Sequence, residues 1–191
     1  MAQSTKSKKI LWLDLETTGL SAYRNDVVQI AALVEIDGKV VQEFEAKLAP
    51  MTDGVITPEA LKIHGYTEEI LWAFPPARNG IKAFVSTLSQ YVDRYDKNDK
   101  FVVAGYYVAF DMDFLRQTFR KVGEQYFGSY FYSALLDVQA VTAIAILEGL
   151  RLADYKLATV CASQGIKIDA HNAMSDIKAT REWAYKAGLF E

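Results

Sequence analysis

The apolar and polar positions of this chain follow one rhythm near its start and another after about residue 56. Residues 10–15 read ILWLDL, apolar except for Asp14, as expected of a strand buried on both faces. Residues 26–36 and 39–48 read as two more strands, and Asp37-Gly38 between them is a strong hairpin signal. The first strand runs into Thr17-Thr18-Gly19, a natural turn. Three consecutive strands joined in this way predict an antiparallel meander.

The period then becomes helical. Thr57-Pro58-Glu59 offers a capping threonine and a proline at the first helical position, and Gly65 can close that short helix. Thr67 opens another short turn, which Pro75-Pro76 ends. Residues 77–95 place Ile81, Phe84, Val85, Leu88 and Val92 at helical spacing. A short apolar strand follows at 101–104, ended by Gly105. The next helix carries Phe110, Phe114, Leu115 and Phe119 on one face. Residues 133–138 read as a final strand, with helices after it at about 138–148, 155–164 and 172–187. Strands first, then strands alternating with helices, predict an α/β fold: a mixed sheet with helices on its faces and right-handed crossovers.

Length and composition sharpen this picture. A chain of 191 residues, 51% hydrophobic and 24% charged, fits one globular domain with a sizeable core. The polar, basic stretch MAQSTKSKK predicts a flexible tail over 1–9, and residues 10–191 form the single domain. The formal net charge is −3. Setting aside Lys6, Lys8 and Lys9 leaves 24 acidic against 18 basic residues, a body at −6. Such a body is unsuited to coating long duplex nucleic acid. It is compatible with an enzyme that grips a short end and offsets phosphate charge with cations. The single cysteine, Cys161, excludes an intrachain disulfide and points to a reducing, cytoplasmic setting. No apolar run approaches a membrane span or a signal-peptide core.

Candidate chemistry lies in three places. Asp14 and Glu16, two apart on a strand, share a face. Two carboxylates on one face of an apolar strand are costly unless paired or bound to a hard cation such as Mg²⁺. Read alone, this D-x-E pair fits a solvated strand end better than a metal site. Asp111 falls near a helix start, where a carboxylate suits the helix dipole, and Asp113 fits that place equally well. His171 and Asp176 are five apart, about 140° around an ideal helix and poorly placed to act together on one. Asn172 as helix cap resolves this, with His171 in the preceding loop and Asp176 about one turn in.

Together the motifs resemble the DEDD exonucleases of the DnaQ-like family, in the subclass whose last motif carries histidine. The first motif is Leu13-Asp14-Leu15-Glu16-Thr17-Thr18-Gly19-Leu20. The second runs from Gly105 through Tyr106, Tyr107, Val108, Ala109, Phe110 and Asp111 to Leu115. The third is His171-Asn172-Ala173-Met174-Ser175-Asp176. They occur in the family's order and spacing over residues 10–187. Ile63-His64-Gly65 between the first two resembles a segment of proofreading members.

The resemblance implies a ribonuclease H-like five-stranded sheet, a meander followed by parallel strands, with helices on both faces. It selects Asp111 over Asp113. It implies two divalent ions, Mg²⁺ or Mn²⁺, held by Asp14, Glu16, Asp111 and Asp176, with His171 as general base. The implied activity is 3'→5' exonucleolytic cleavage of single-stranded DNA or short RNA, with association with a DNA polymerase as the alternative. Thr17, Thr18, Gly19 and Leu20 match the family turn that lies against the terminal nucleotide, and His64 either lines the same pocket or serves the short helix. One departure is clear: Tyr106-Tyr107 replaces the family's usual His-Asn. The tyrosines either stack on a base or sugar or fill the sheet end.

Overall fold

The computed structural model describes residues 7–51 and 53–190. Of the expected tail, residues 1–6 lie outside the described residues, and Lys9 already belongs to the first strand. In chain order the elements are β1 (Lys9–Thr17), β2 (Val27–Ile36), β3 (Lys39–Lys47), α1 (Pro58–His64), α2 (Glu68–Trp72), α3 (Ala77–Leu88), β4 (Phe101–Gly105), α4 (Val108–Val122), α5 (Phe127–Tyr130), β5 (Phe131–Asp137), α6 (Val138–Leu147), α7 (Leu157–Gln164) and α8 (Ala173–Lys186).

The strands form one sheet in the order β3-β2-β1-β4-β5. β1, β2 and β3 are the antiparallel meander, and β4 and β5 run parallel to β1. Asp37 and Gly38 take φ of 49° and 81°, the paired positive values that a tight hairpin turn requires. Thr57 and Thr67 cap α1 and α2 as expected, and Gly65 closes α1 with φ 74°.

Boundaries moved where polar side chains bind local backbone. The helix expected over 77–95 ends at Leu88. Past it, Asp93 and Asp96 accept hydrogen bonds from the backbone of Tyr95 and Asn98 and hold turns in place of a helix. Asp154 accepts from Lys156 N–H in the same way, so α7 begins at Leu157 rather than 155. The last strand starts at Phe131 and stops at Asp137, which caps α6 by accepting from Gln139 N–H at 2.9 Å. The four-residue α5 was not expected.

β1 is central and buried on both faces. Leu11, Leu13 and Leu15 pack with Ile81 and Phe84 of α3 and with Leu115 and Phe119 of α4. Ile10 and Trp12 face the other way, onto Val138 of α6, Val160 and Cys161 of α7, and Ile177 and Trp183 of α8. Each such side chain contributes about 1.5–3 kcal/mol on burial. The alternation along β1 carries Asp14 and Glu16 onto the Trp12 side, where α8 lies. Gly105 ends β4 against β1: a Cβ there would stand 2.6 Å from the Leu13 carbonyl oxygen. Only glycine lets the chain turn into α4 this close to the acidic end of β1. No helix among the described residues is long and apolar enough to cross a membrane.

Candidate active site

Asp14, Glu16 and Asp176 each offer a carboxylate oxygen within 4.8 Å of the others. β1 supplies the first two, and the first turn of α8 supplies the third. Asn172 starts that helix, its side-chain oxygen accepting from Ser175 N–H at 3.1 Å. His171 precedes it in a left-handed conformation, φ 69°, and is exposed. Its backbone N–H donates to Asp176 Oδ2 at 3.1 Å. The five-residue spacing therefore never has to be spanned along a helix. Asp176 Oδ1 is buried and has no hydrogen-bond partner.

Asp111 is buried on the first turn of α4, outside the group of three but within range of its charges. Asp113, two residues on, is exposed. The alternative that spacing left open is thus divided by burial: one carboxylate faces the cluster and the other faces water.

The four acids perturb one another. Burial first, then the charges of Asp111, Asp176 and Glu16, push the Asp14 carboxyl well above its ordinary range. Burial and the charge of Asp176 raise Glu16 to about 8. Burial also raises Asp176, opposed by the hydrogen bond from the His171 backbone. Asp111 is raised well above its ordinary range by burial, opposed by backbone hydrogen bonding at Leu15 and reinforced by the charge of Glu16. Burial and like charge together disfavour full ionisation of the cluster.

The turn Thr17–Leu20 leaves β1 beside this cluster. Thr17 Oγ1 donates to the Gly19 carbonyl at 2.8 Å, and Leu20 projects with 85% of its surface exposed. Buried Thr18 and Asn25 both donate to the Val55 carbonyl, at 2.7 Å each, and Asn25 Oδ1 accepts from Ser21 N–H at 2.9 Å. Next to them Asp26 pairs with Lys121 of α4 at 2.7 Å. Sequence reasoning passed over Asn25 and Asp26, since neither matches a motif. Their one signal is two adjacent polar residues immediately before the largely apolar β2.

His64 closes α1. Its Nδ1 accepts from Tyr66 N–H at 3.1 Å, so in the neutral ring Nε2 carries the proton. Nε2 is buried without a partner, and burial lowers the pKa of the ring.

The two tyrosines differ in placement. Tyr106 is half-buried against the second core, and its hydroxyl bonds to Thr142 Oγ1 at 3.2 Å and to the Tyr155 carbonyl. It fills the sheet end. Tyr107 is 56% exposed, with φ 61°, and its N–H donates to Asp137 Oδ1 at 3.0 Å. Asp137 thereby holds the left-handed turn that presents Tyr107, and its helix-cap position was the one sequence signal for it. Among other cations near the last helix, Lys178 pairs with Glu43 and Arg181 with buried Glu35.

A mixed five-stranded sheet with helices on both faces and carboxylates gathered at the end of its central strand is a ribonuclease H-like architecture. The family profile of the RNase T-type exonucleases matches residues 11–183, and the chain belongs to that family. It carries the DnaQ-like motifs with histidine in the third.

Among curated relatives, DNA polymerase III PolC-type of Oceanobacillus iheyensis is 24% identical over 168 residues, covering 87% of this chain and 10% of that one. The PolC-type polymerase of Halalkalibacterium halodurans is 26% identical over 173 residues, again 87% and 10%. The zinc-bound E. coli ExoI–ssDNA complex superposes with TM-score 0.77 at 21% identity, over 94% of this chain and 40% of that one. Apo exonuclease I gives 0.75 at 20%, over 97% and 43%. The chain thus spans about a tenth of these polymerases and about two fifths of these exonuclease structures.

Proposed function

We propose that this chain is a metal-dependent 3'→5' exonuclease that hydrolyses the terminal phosphodiester of single-stranded DNA or short RNA and releases nucleoside 5'-monophosphates. The observation that carries this reading is the gathering of Asp14, Glu16 and Asp176 within 4.8 Å, with a buried Asp176 oxygen that has no donor. The oxygen-only donor set fits a hard divalent cation, Mg²⁺ or Mn²⁺. Asp14, Glu16 and Asp176 would hold one ion, and Asp14 with Asp111 a second. A bound pair supplies a lowered pKa for the attacking water and charge stabilisation at the leaving oxygen.

The remaining tasks fall to this chain's own groups. His171 takes the proton of the attacking water on its exposed imidazole, while its backbone N–H orients Asp176. Thr17, Thr18, Gly19 and Leu20 form the wall against the terminal nucleotide, held rigid by Asn25. His64 stands behind that wall at the end of α1, where its Nδ1 accepts from Tyr66 N–H. Tyr107 presents an aromatic face to a base, which binds without reading sequence, and Tyr106 supports that turn from within. Residues 9–191 act as one catalytic domain behind a basic leading stretch at 1–8, and the buried thiol of Cys161 suits a reducing, cytoplasmic setting.

Matched DNA and RNA oligonucleotides, with free and 3'-phosphorylated ends, test the reading. With Mg²⁺ or Mn²⁺ the free ends are expected to shorten stepwise to 5'-monophosphates, the blocked ends to persist, and EDTA to stop the reaction. Substrates left intact with both metals would sink it. His171→Gln is expected to lower the rate on the order of 10²-fold. A variant that keeps the wild-type rate counts against the general-base role. A second reading, an editing segment working within or beside a polymerase, is favoured by the PolC-type relatives. It calls for co-elution of the chain with a polymerase on sizing.

A further inference from the structure

Beyond Leu20 a cleft of about 540 Å³ opens between the turn after β1 and the solvent face of α4. Its apolar lining includes Leu20, Tyr23, Tyr107 and Phe110, and its far wall includes Arg116 and Arg120. Leu20 is 85% and Tyr23 78% exposed, so this is a cluster of large apolar surfaces left to water beside the acidic site. The rings of Tyr107 and Phe110 lie nearly parallel, inclined by 20° with centroids 6.4 Å apart. Tyr23 matches no motif.

The arginines give the cleft its polarity. They stand four residues apart on one face of α4, about 6 Å along the axis. Among the described residues neither is in an ion pair, whereas Lys121, Lys178 and Arg181 all are. The Arg116 guanidinium lies over the Phe127 ring at 4.5 Å, leaving its N–H edges open to a phosphate. Both arginines also line a neighbouring cleft of about 430 Å³, so one wall serves two successive hollows. Asp113, on the same wall nearer the acids, confines favourable phosphate positions to the arginine end.

We propose that this cleft is the path of the strand behind the 3' end. The base next to the terminal one lies on Tyr107 and Tyr23, and the phosphates that follow meet Arg116 and Arg120. The occupant is the phosphodiester backbone of a single strand with its unpaired bases. Leu20 and Tyr107, shared with the site described above, make the two continuous. The proposal rests on the exonuclease reading and adds to it a distinct contact behind the reacting bond. It also explains how an acidic body holds a polyanion: the attraction is confined to one short wall.

Two measurements on the full chain test it. The first is KM and kcat for release of the terminal nucleotide from dT2, dT4 and dT8. The second is the salt dependence of binding to a 5'-fluorescein dT8 whose 3'-terminal linkage is a phosphorothioate. In the wild type, KM is expected to fall as the strand lengthens from two to four nucleotides and beyond. In Arg116→Ala/Arg120→Ala, KM for dT8 is expected to rise on the order of tenfold or more with kcat nearly unchanged. The slope of log K against log salt should fall by roughly 1.4, about 0.7 for each lost phosphate contact on a single strand. Arg120→Lys should restore most of that slope, which a packing role would not predict. Tyr23→Ala should raise KM for dT4 by roughly fivefold or more, the loss of one stacked base.

Should the double variant unfold because Arg116 packs on Phe127, Arg120→Ala alone carries the test with half the change in slope. A wild type that degrades 3' ends while the arginine variants keep its KM and salt slope overturns this path and leaves the exonuclease reading standing. A wild type that degrades nothing overturns both.

Discussion

Asp14→Asn is expected to abolish turnover and, in metal-free protein, to raise the melting temperature. Both results follow from one geometry. Asp14 is the carboxylate that feels the charges of all three other acids, and it sits beside the Glu16–Asp176 pair. Removing its charge takes away the ligand shared by both proposed ion positions, so the rate should fall on the order of 10³-fold or more. Without cations the same charge is a liability, because burial and three like-charged neighbours oppose its ionisation. Its removal should add about 1–3 kcal/mol at pH 8, a rise of roughly 3–10 °C for a chain of this size. Nuclease assay and thermal unfolding in EDTA check the pair. A variant that loses activity together with stability in EDTA would show that Asp14 is structural rather than a ligand. Loss of activity with a gain of stability in EDTA is the trade-off expected of a ligand position.

The second large effect is a stability that runs the wrong way with pH until metal is added. Glu16 has a folded pKa of about 8 against 4.5 for the free side chain. Between these values the folded state keeps a proton that the unfolded chain has released. Unfolding therefore sheds protons, and stability falls as pH rises through this window. At about 1.36 kcal/mol per unit the loss from Glu16 alone approaches ~5 kcal/mol by the upper end. Asp14, Asp111 and Asp176 are shifted in the same direction. His64 opposes them: burial lowers its pKa, so its contribution rises with pH and is complete near pH ~6.5. The interval from pH 6.5 to 8 is then set by the carboxylates. In EDTA the melting temperature is expected to fall across it. Millimolar Mg²⁺ or Mn²⁺ should raise the melting temperature at every pH, and more at pH 8 than at pH 6, because a cation binds the ionised acids. An EDTA melting temperature that climbs from pH 6.5 to 8 would refute the shared burial of these groups.

Much of the site was legible because the chemistry repeats in short, ordered segments. The order β1-β2-β3, the Asp37-Gly38 turn, the caps at Thr57, Thr67 and Asn172 and the closing Gly65 all depend on neighbours within a few residues, so local reasoning found them. The alternation that puts Asp14 and Glu16 on one face is likewise a property of a strand. Where a local polar group competed with the periodic pattern, as at Asp93, Asp137 and Asp154, boundaries shifted by a few residues or more.

What remained open was whatever depends on which surfaces meet. By itself the amino-acid order determined the kind of element, the turn chemistry and the motif set that places this chain among the DnaQ-like exonucleases. It did not determine that Asp176, more than 150 residues after Asp14, stands within reach of it, because only the packing of α8 on β1 through Trp12, Ile177 and Trp183 brings them together. Nor did it divide Asp111 from Asp113 without the resemblance, since both suit a helix start. The tertiary structure separates them by burying one against the acid cluster and leaving the other in water. The split between Tyr106 and Tyr107 has the same origin. Two identical side chains in sequence take opposite placements because one meets Thr142 and the second core, while Asp137 fixes the other in a left-handed turn facing solvent. Local physics chooses conformations, but burial is a relation between distant segments, and it is packing that gathers Asp14, Glu16 and Asp176 and brings Asp111 within range of their charges.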